Sequence, residues 1–141
     1  SSARPAPGVV PAVAGADLVL IGPSNPVVSI GPILAVPGVR DAVVATAAPV
    51  IGVSPIIGGA PVLGMADRCL SAIGVECTAA GVGVHDGARG SGGLLDGWLV
   101  DTGDAATGVP GVRVRAVPLW MTDEQATLAM VAAAASLAGV S

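Results

Sequence analysis

Short apolar runs, each cut off by glycine and proline, organise this chain. The first, Leu18-Val19-Leu20-Ile21, stops at Gly22-Pro23-Ser24-Asn25-Pro26. Its length and branching predict a strand over residues 17–21, buried on both faces. Two prolines and a glycine then forbid strand or helix. Ser29 is the expected N-cap of a short helix broken at Pro37-Gly38. A second helical piece is expected over residues 39–47, with Arg40 and Asp41 outward and Pro49 ending it. The same pattern then returns. Residues 49–53 read as a strand and Ser54-Pro55-Ile56-Ile57-Gly58-Gly59 as a loop. A helix is expected from Pro61 through Leu63, Ala66, Asp67, Leu70 and Ile73 to Gly74. Strand, loop and helix repeated twice predict a parallel α/β winding with both loops on one sheet edge.

The remainder is less regular. Residues 1–16 read as a flexible lead-in with a short helix over 8–15, and residues 78–85 as a helix of small side chains. Residues 94–100, with Trp98, predict a strand that ends at Asp101-Thr102-Gly103-Asp104. Val112, Val114 and Ala116 alternate with Arg113 and Arg115, which predicts a half-exposed strand. Thr122-Asp123-Glu124-Gln125 reads as a capping box, Thr122 capping and Gln125 reaching back, with acids suited to the positive end of the helix dipole. The helix it opens is expected to bury Leu128, Val131, Ala135 and Ala138 and to stop at Gly139.

Composition narrows the chemistry. The 141 residues suffice for one domain with its own core. They are 52% hydrophobic and 11% charged, without Phe or Tyr, and every cation is an Arg, so the core is aliphatic. A net charge of −4 and two Trp as the only aromatics argue against a nucleic-acid partner, which needs basic surface and stacking platforms. The charge-free stretch between Asp41 and Asp67 is too broken by Gly and Pro to satisfy its backbone in lipid, so no membrane partner is expected. Cys69 and Cys77 fit no zinc motif and read as idle or buried thiols, with a disulfide the alternative. The first residues lack both Met and the apolar core of a signal peptide, as in a processed or truncated piece.

The loops carry the candidate chemistry. In open α/β sheets, ligands sit at the carboxyl ends of strands, against helix N-termini. Ser24 and Asn25 are the polar side chains there, and an Asx turn in which Asn25 bonds only its own backbone is the alternative. Gly58 and Gly59 allow backbone N–H groups to approach an anion, or merely make a tight turn. His85-Asp86 is a His–carboxylate pair by sequence, but chain neighbours point apart, so an exposed His is expected. Asp101–Asp104 is short for a calcium loop and reads as a solvated turn. Arg113 and Arg115 read as solvent-facing rather than phosphate-binding.

The run Gly22-Pro23-Ser24-Asn25-Pro26-Val27-Val28-Ser29-Ile30-Gly31-Pro32-Ile33-Leu34 closely resembles the 2-phospho-L-lactate transferase family, the CofD/FbiA type. So do Ser54-Pro55-Ile56-Ile57-Gly58-Gly59, Gly64-Met65-Ala66-Asp67, Leu95-Asp96-Gly97-Trp98, Arg115-Ala116-Val117-Pro118 and Met121-Thr122-Asp123. The composition looks actinobacterial, which points to the mycobacterial-type branch. The resemblance implies a three-layer α/β/α fold with a Rossmann-like, mostly parallel sheet, and a cytoplasmic role in coenzyme F-420 biosynthesis. A phospholactyl or phosphoenolpyruvyl group passes from a guanylyl-diphospho donor to the deazaflavin alcohol FO, GMP leaves, and Mg2+ assists. Gly22, Pro23, Ser24, Asn25 and Ser29 would then face FO or the donor, and Ser54, Gly58 and Gly59 the donor phosphates.

Members are about twice this length, so the resemblance makes residues 17–141 the C-terminal half, with the metal ligands and nucleotide loop in the other. The family's basic residues after the Gly-Gly pair are replaced here by Ala60 and Leu63, which weakens anion binding there. Two other readings stand beside the transferase. One is a non-enzymatic nucleotide-ligand-binding protein like the related gluconeogenesis factors. The other is an inactive fragment whose exposed apolar sheet edge drives homodimerisation.

Overall fold

The computed structural model describes residues 2–62 and 66–140. Four parallel strands form the sheet: β1 (Val19–Ile21), β2 (Val50–Val53), β5 (Gly97–Val100) and β6 (Arg113–Ala116), in the order β1-β2-β5-β6. A hairpin of β3 (Ile56–Ile57) and β4 (Ala60–Pro61) stands apart as a second small sheet. The helices are α1 (Val9–Ala14), α2 (Gly31–Leu34), α3 (Val39–Ala45), α4 (Ala66–Ala72), α5 (Ala79–Asp86) and α6 (Glu124–Ala138). A π-helical turn, Pro26–Ile30, runs directly into α2.

Strand alternation divides the core into two layers. Val50, Trp98 and Val100 face one side, where Val43 of α3, Leu70 of α4 and Val82 of α5 cover them. Ile51, Val53 and Leu99 face the other, against Met130, Ala134 and Leu137 of α6. Helices therefore cover both faces, giving the expected three-layer Rossmann-like α/β fold. Trp98 is the one large ring in the core, and small neighbours make its space. A Cβ on Gly52 would lie 2.7 Å from its ring, and one on Gly83 2.9 Å from its Nε1. That indole N–H donates to the Ala79 carbonyl at 3.0 Å, so the buried ring leaves no polar atom unpaired.

Several expectations need correction. β1 is an edge strand, not one buried on both faces: its pattern is half-buried, and Leu20 is 36% exposed. Ser29 lies inside the π-helical turn, and Asn25 is the N-cap. Pro61 does not start a helix. It pairs with Ile56 in the hairpin, because Gly58 and Gly59 both take left-handed backbones (φ 61° and 75°) and reverse the chain there. Ile73 of the same expected helix is exposed. Leu63, Gly64 and Met65 lie outside the described residues.

In α6 the cap is Asp123 rather than Thr122: its Oδ1 accepts from the Ala126 N–H at 2.8 Å. The buried face is Met130, Ala134 and Leu137, while Leu128 and Val131 are exposed. The helix is apolar on several sides, so periodicity alone left its rotation open. The helices expected over 8–15, 39–47 and 78–85 appear as α1, α3 and α5, and Thr78 Oγ1 caps α5 by accepting from Gly81. Cys69 and Cys77 are free and half-buried.

Candidate functional site

The loops after β1, β2 and β6 meet at the carboxyl edge of the sheet, the edge where parallel α/β folds hold ligands. Between them lies a cleft of about 630 Å³, lined by Pro23, Ser24, Asn25 and Ser29 from the first loop, Ser54 and Ile57 from the second, and Trp120 and Met121 from the third. The lining is mostly apolar. Trp120 is 55% exposed and Met121 47%, unusual for side chains of their size unless something covers them.

Within the first loop, Asn25 uses its side-chain oxygen locally. Oδ1 accepts from the N–H groups of Val27 at 2.8 Å and Val28 at 3.2 Å, which caps the turn of helix that follows. The Asx alternative therefore describes this oxygen. Its amide NH2 makes no hydrogen bond among the described residues, nor do the hydroxyls of Ser24 and Ser29. These three groups border the cleft with hydrogen-bonding capacity unspent. Gly22 ends the loop's approach from β1 and does not line the cleft.

The second loop is closed on itself. Ser54 is 1% exposed, and its hydroxyl both accepts from the Ile56 N–H at 3.1 Å and donates to the Ile56 carbonyl at 3.2 Å. The N–H groups of Gly58 and Gly59 donate to Asp104 Oδ2 and Oδ1, at 2.9 and 3.0 Å. The two glycines thus form an anion-binding pair, and the anion they hold is a carboxylate of the same chain.

Asp101 and Asp104 overturn the expectation of a solvated turn. Asp101, at the end of β5, is buried. It accepts from Gly103 N–H through Oδ2 and from Leu119 N–H through Oδ1, both at 3.0 Å. Burial pushes its pKa up, but the N–H donors of Gly103, Leu119 and Thr102 outweigh that and hold the carboxyl below its usual range. One four-residue turn therefore ties down both the hairpin and the loop that carries Trp120.

The remaining candidates are separate. His85 is exposed at the end of α5, as expected, and Asp86 beside it is buried. Asp86 faces a different hollow of about 320 Å³, with Arg40, His85 and Pro26 in its walls. Arg89 makes an ion pair with Asp96 and donates to the carbonyls of Thr46 and Ala48, bracing the opposite edge of the sheet. Arg113 lies beside that edge, and Arg115 reaches the Ala133 carbonyl on α6.

Sequence reasoning missed Trp120 as a wall of the cleft and Asp104 as the partner of the glycines. The first had a signal: Trp120 follows a strand in a parallel sheet, which places it at the carboxyl edge. The second had none, because the bond spans 45 residues of chain.

Comparison with known proteins bears on this cleft. The model of the family described as 2-phospho-L-lactate transferase CofD matches residues 1–131. A phosphoenolpyruvate transferase of Mycolicibacterium smegmatis is 62% identical over 135 residues, 96% of this chain and 41% of that protein. Phosphoenolpyruvate transferases of Nocardia farcinica and Streptomyces griseus subsp. griseus are 60% and 57% identical, over 98% and 96% of this chain and 41% and 43% of theirs. The chain spans less than half the length of the curated relatives it matches.

Proposed function

Because the chain belongs to the 2-phospho-L-lactate transferase CofD family, we propose that its carboxyl-edge cleft is the acceptor side of a transferase that makes a coenzyme F-420 precursor. In this reading the acceptor is the deazaflavin alcohol FO and the donor a guanylyl-diphospho compound. The names of the relatives favour phosphoenolpyruvate over phospholactate as the group it carries. The acceptor hydroxyl oxygen attacks the phosphorus that bears the enolpyruvyl oxygen. The bond from that phosphorus to the guanylate breaks, GMP leaves, and the hydroxyl gives up its proton.

The observation that carries the reading is the division of labour within the cleft. Trp120, Met121 and Ile57 offer an apolar wall that suits a planar deazaflavin ring. The hydroxyls of Ser24 and Ser29 and the amide NH2 of Asn25 border the same cleft without a hydrogen bond to the described residues, fit to orient the alcohol. Ser54 serves this reading as a wall, while Gly58 and Gly59 lie outside the lining, and the polar groups of all three are engaged within the chain.

The family resemblance implies Mg2+, and the described residues do not fit it. No group of three or more His, Cys, Asp or Glu comes together among them, and Asp101 and Asp104 are spent on backbone N–H groups. No step is therefore routed through the metal. A cytoplasmic setting and small-molecule partners, without nucleic acid or membrane, belong to the same proposal. Among the described residues no single helix is long and apolar enough to cross a bilayer.

The test is FO binding, followed by the fluorescence of the deazaflavin, with and without magnesium and GMP. Saturable binding is expected. Asn25→Asp separates the two jobs of that side chain: it keeps the capping oxygen and removes the NH2. It should weaken FO about tenfold while leaving the melting temperature close to wild type. Absence of saturable binding by a well-folded wild-type chain sinks the proposal.

A further inference from the structure

We propose that Asp104 is a positioning residue of the cleft, a latch that fixes the tip of the β3–β4 hairpin and with it the part of the cleft wall formed by Ile57. The inference rests on the acceptor reading above for the identity of the ligand, and on geometry alone for the latch.

The hairpin has two residues in each strand and does not join the main sheet. So short a hairpin does not hold its own position in water. Its base is anchored: Ile56 is fully buried in the core, and the Ser54 hydroxyl closes the turn beneath it. Its tip projects outward. Gly58 and Gly59 are exposed, and the hydrogen bonds that tie their N–H groups to the rest of the molecule both go to Asp104. Each carboxylate oxygen takes one N–H, so the contact fixes the orientation of the tip as well as its distance.

Asp104 is itself well placed to serve as the fixed point. It closes the 3-10 turn Thr102–Asp104, which leaves the end of β5 under the control of Asp101. Gly103 brings the two segments together: a Cβ built there would sit 3.5 Å from the Gly58 Cα, in ordinary contact. Ile57 adjoins the latched tip and lines the cleft, whereas Val62 lines it from the base of the hairpin, where its N–H donates to the Pro55 carbonyl at 3.3 Å. Releasing the tip therefore moves one wall of the cleft while the buried base stays in place, so affinity changes and folding does not.

The experiment compares wild type, Asp104→Ala and Asp104→Asn for three quantities: FO affinity by deazaflavin fluorescence, exchange of the Gly58 and Gly59 amides by NMR, and melting temperature. In Asp104→Ala the two amides should exchange faster, the FO dissociation constant should rise about tenfold, and the melting temperature should stay within about 2 °C. Asp104→Asn keeps one acceptor oxygen and should recover part of both losses. Faster exchange with unchanged FO affinity overturns the positioning role. Unchanged Gly58 and Gly59 exchange in Asp104→Ala overturns the latch whatever ligand the cleft takes. A wild-type chain that does not bind FO overturns the acceptor reading instead, and the exchange rates still decide the latch.

Discussion

Asp86 and Asp101 are both nearly closed to solvent, 8% and 7% exposed, yet their carboxyls move in opposite directions. Asp86 sits in the last turn of α5 and makes no side-chain hydrogen bond or ion pair among the described residues. Burial pushes its pKa from 3.8 up to about 6, against the opposing pull of His85 and Arg40. Asp101 sits at the end of β5, in a shallower place, and accepts from two backbone N–H groups, which overcome its desolvation and hold it low. Burial alone does not set the charge of a carboxyl; the donors that the backbone turns toward it do. The difference also separates two regions. The end of β5 is built around a permanent anion that braces the cleft, whereas the end of α5 carries a strained one beneath the helix that begins at Asn25.

The largest effect should come from removing the braced anion. Asp101→Ala leaves the buried Leu119 N–H without its acceptor and should cost about 3 kcal/mol in denaturant unfolding. It should also shift Trp120 emission in the native state, because Leu119 is the neighbour that fixes the Trp120 loop, while buried Trp98 reports no change. A variant with wild-type stability would break the comparison.

Asp86 should behave in the opposite sense. Its folded pKa is raised, so its contribution to stability is fully present below about 3.8 and is lost as pH rises through about 6. Asp86→Asn removes that penalty. It should stabilise the chain by on the order of 2 kcal/mol at pH 7.5 and by nothing at pH 4. Asp101, with a depressed folded pKa, contributes stability above 3.8 that is lost as pH falls through its lowered value. Thermal melts across this range should show wild-type stability falling on both sides of about pH 4 to 5, and Asp86→Asn should flatten the alkaline side alone. A parallel fall in both proteins would contradict the assignment to Asp86.

The smallest effect concerns the loop above Asp86. Asn25→Ala removes the cap of the π-helical turn and should cost about 1 kcal/mol, and Asn25→Asp close to nothing. Equal losses in the two variants would show that the NH2, not the capping oxygen, holds the loop.

The local elements were legible because local rules govern them. Gly22 to Asn25 could only be a loop, residues 78–85 read as a helix, and Val50–Val53 only as a buried strand. The cleft was legible in outline, since parallel winding sends every strand-end loop to the same edge. Pro23, Ser24, Asn25, Ser29 and Ser54 were named from sequence and line the cleft together. Trp120 was read only as one of two aromatics. The acidic turn was misread because Asp-Thr-Gly-Asp has the composition of a surface turn, and its partners lie in two other loops.

The sequence by itself determined a parallel α/β winding, because apolar runs of strand length alternate with helix signals and only crossovers can join them. It also determined the turns, because Pro locks φ and bars continued helix or strand, while Gly admits the positive φ that turns require. Tertiary structure alone decided which side of α6 is buried, since Leu128 and Val131 are as apolar as Met130 and Leu137 and only the sheet beneath distinguishes them. It decided that β1 stands at an edge, since strand order is not written in any single strand. And it decided the charge and role of each aspartate, because a carboxyl's pKa and hydrogen bonds depend on what the fold brings within reach of it as well as on its neighbours in the chain.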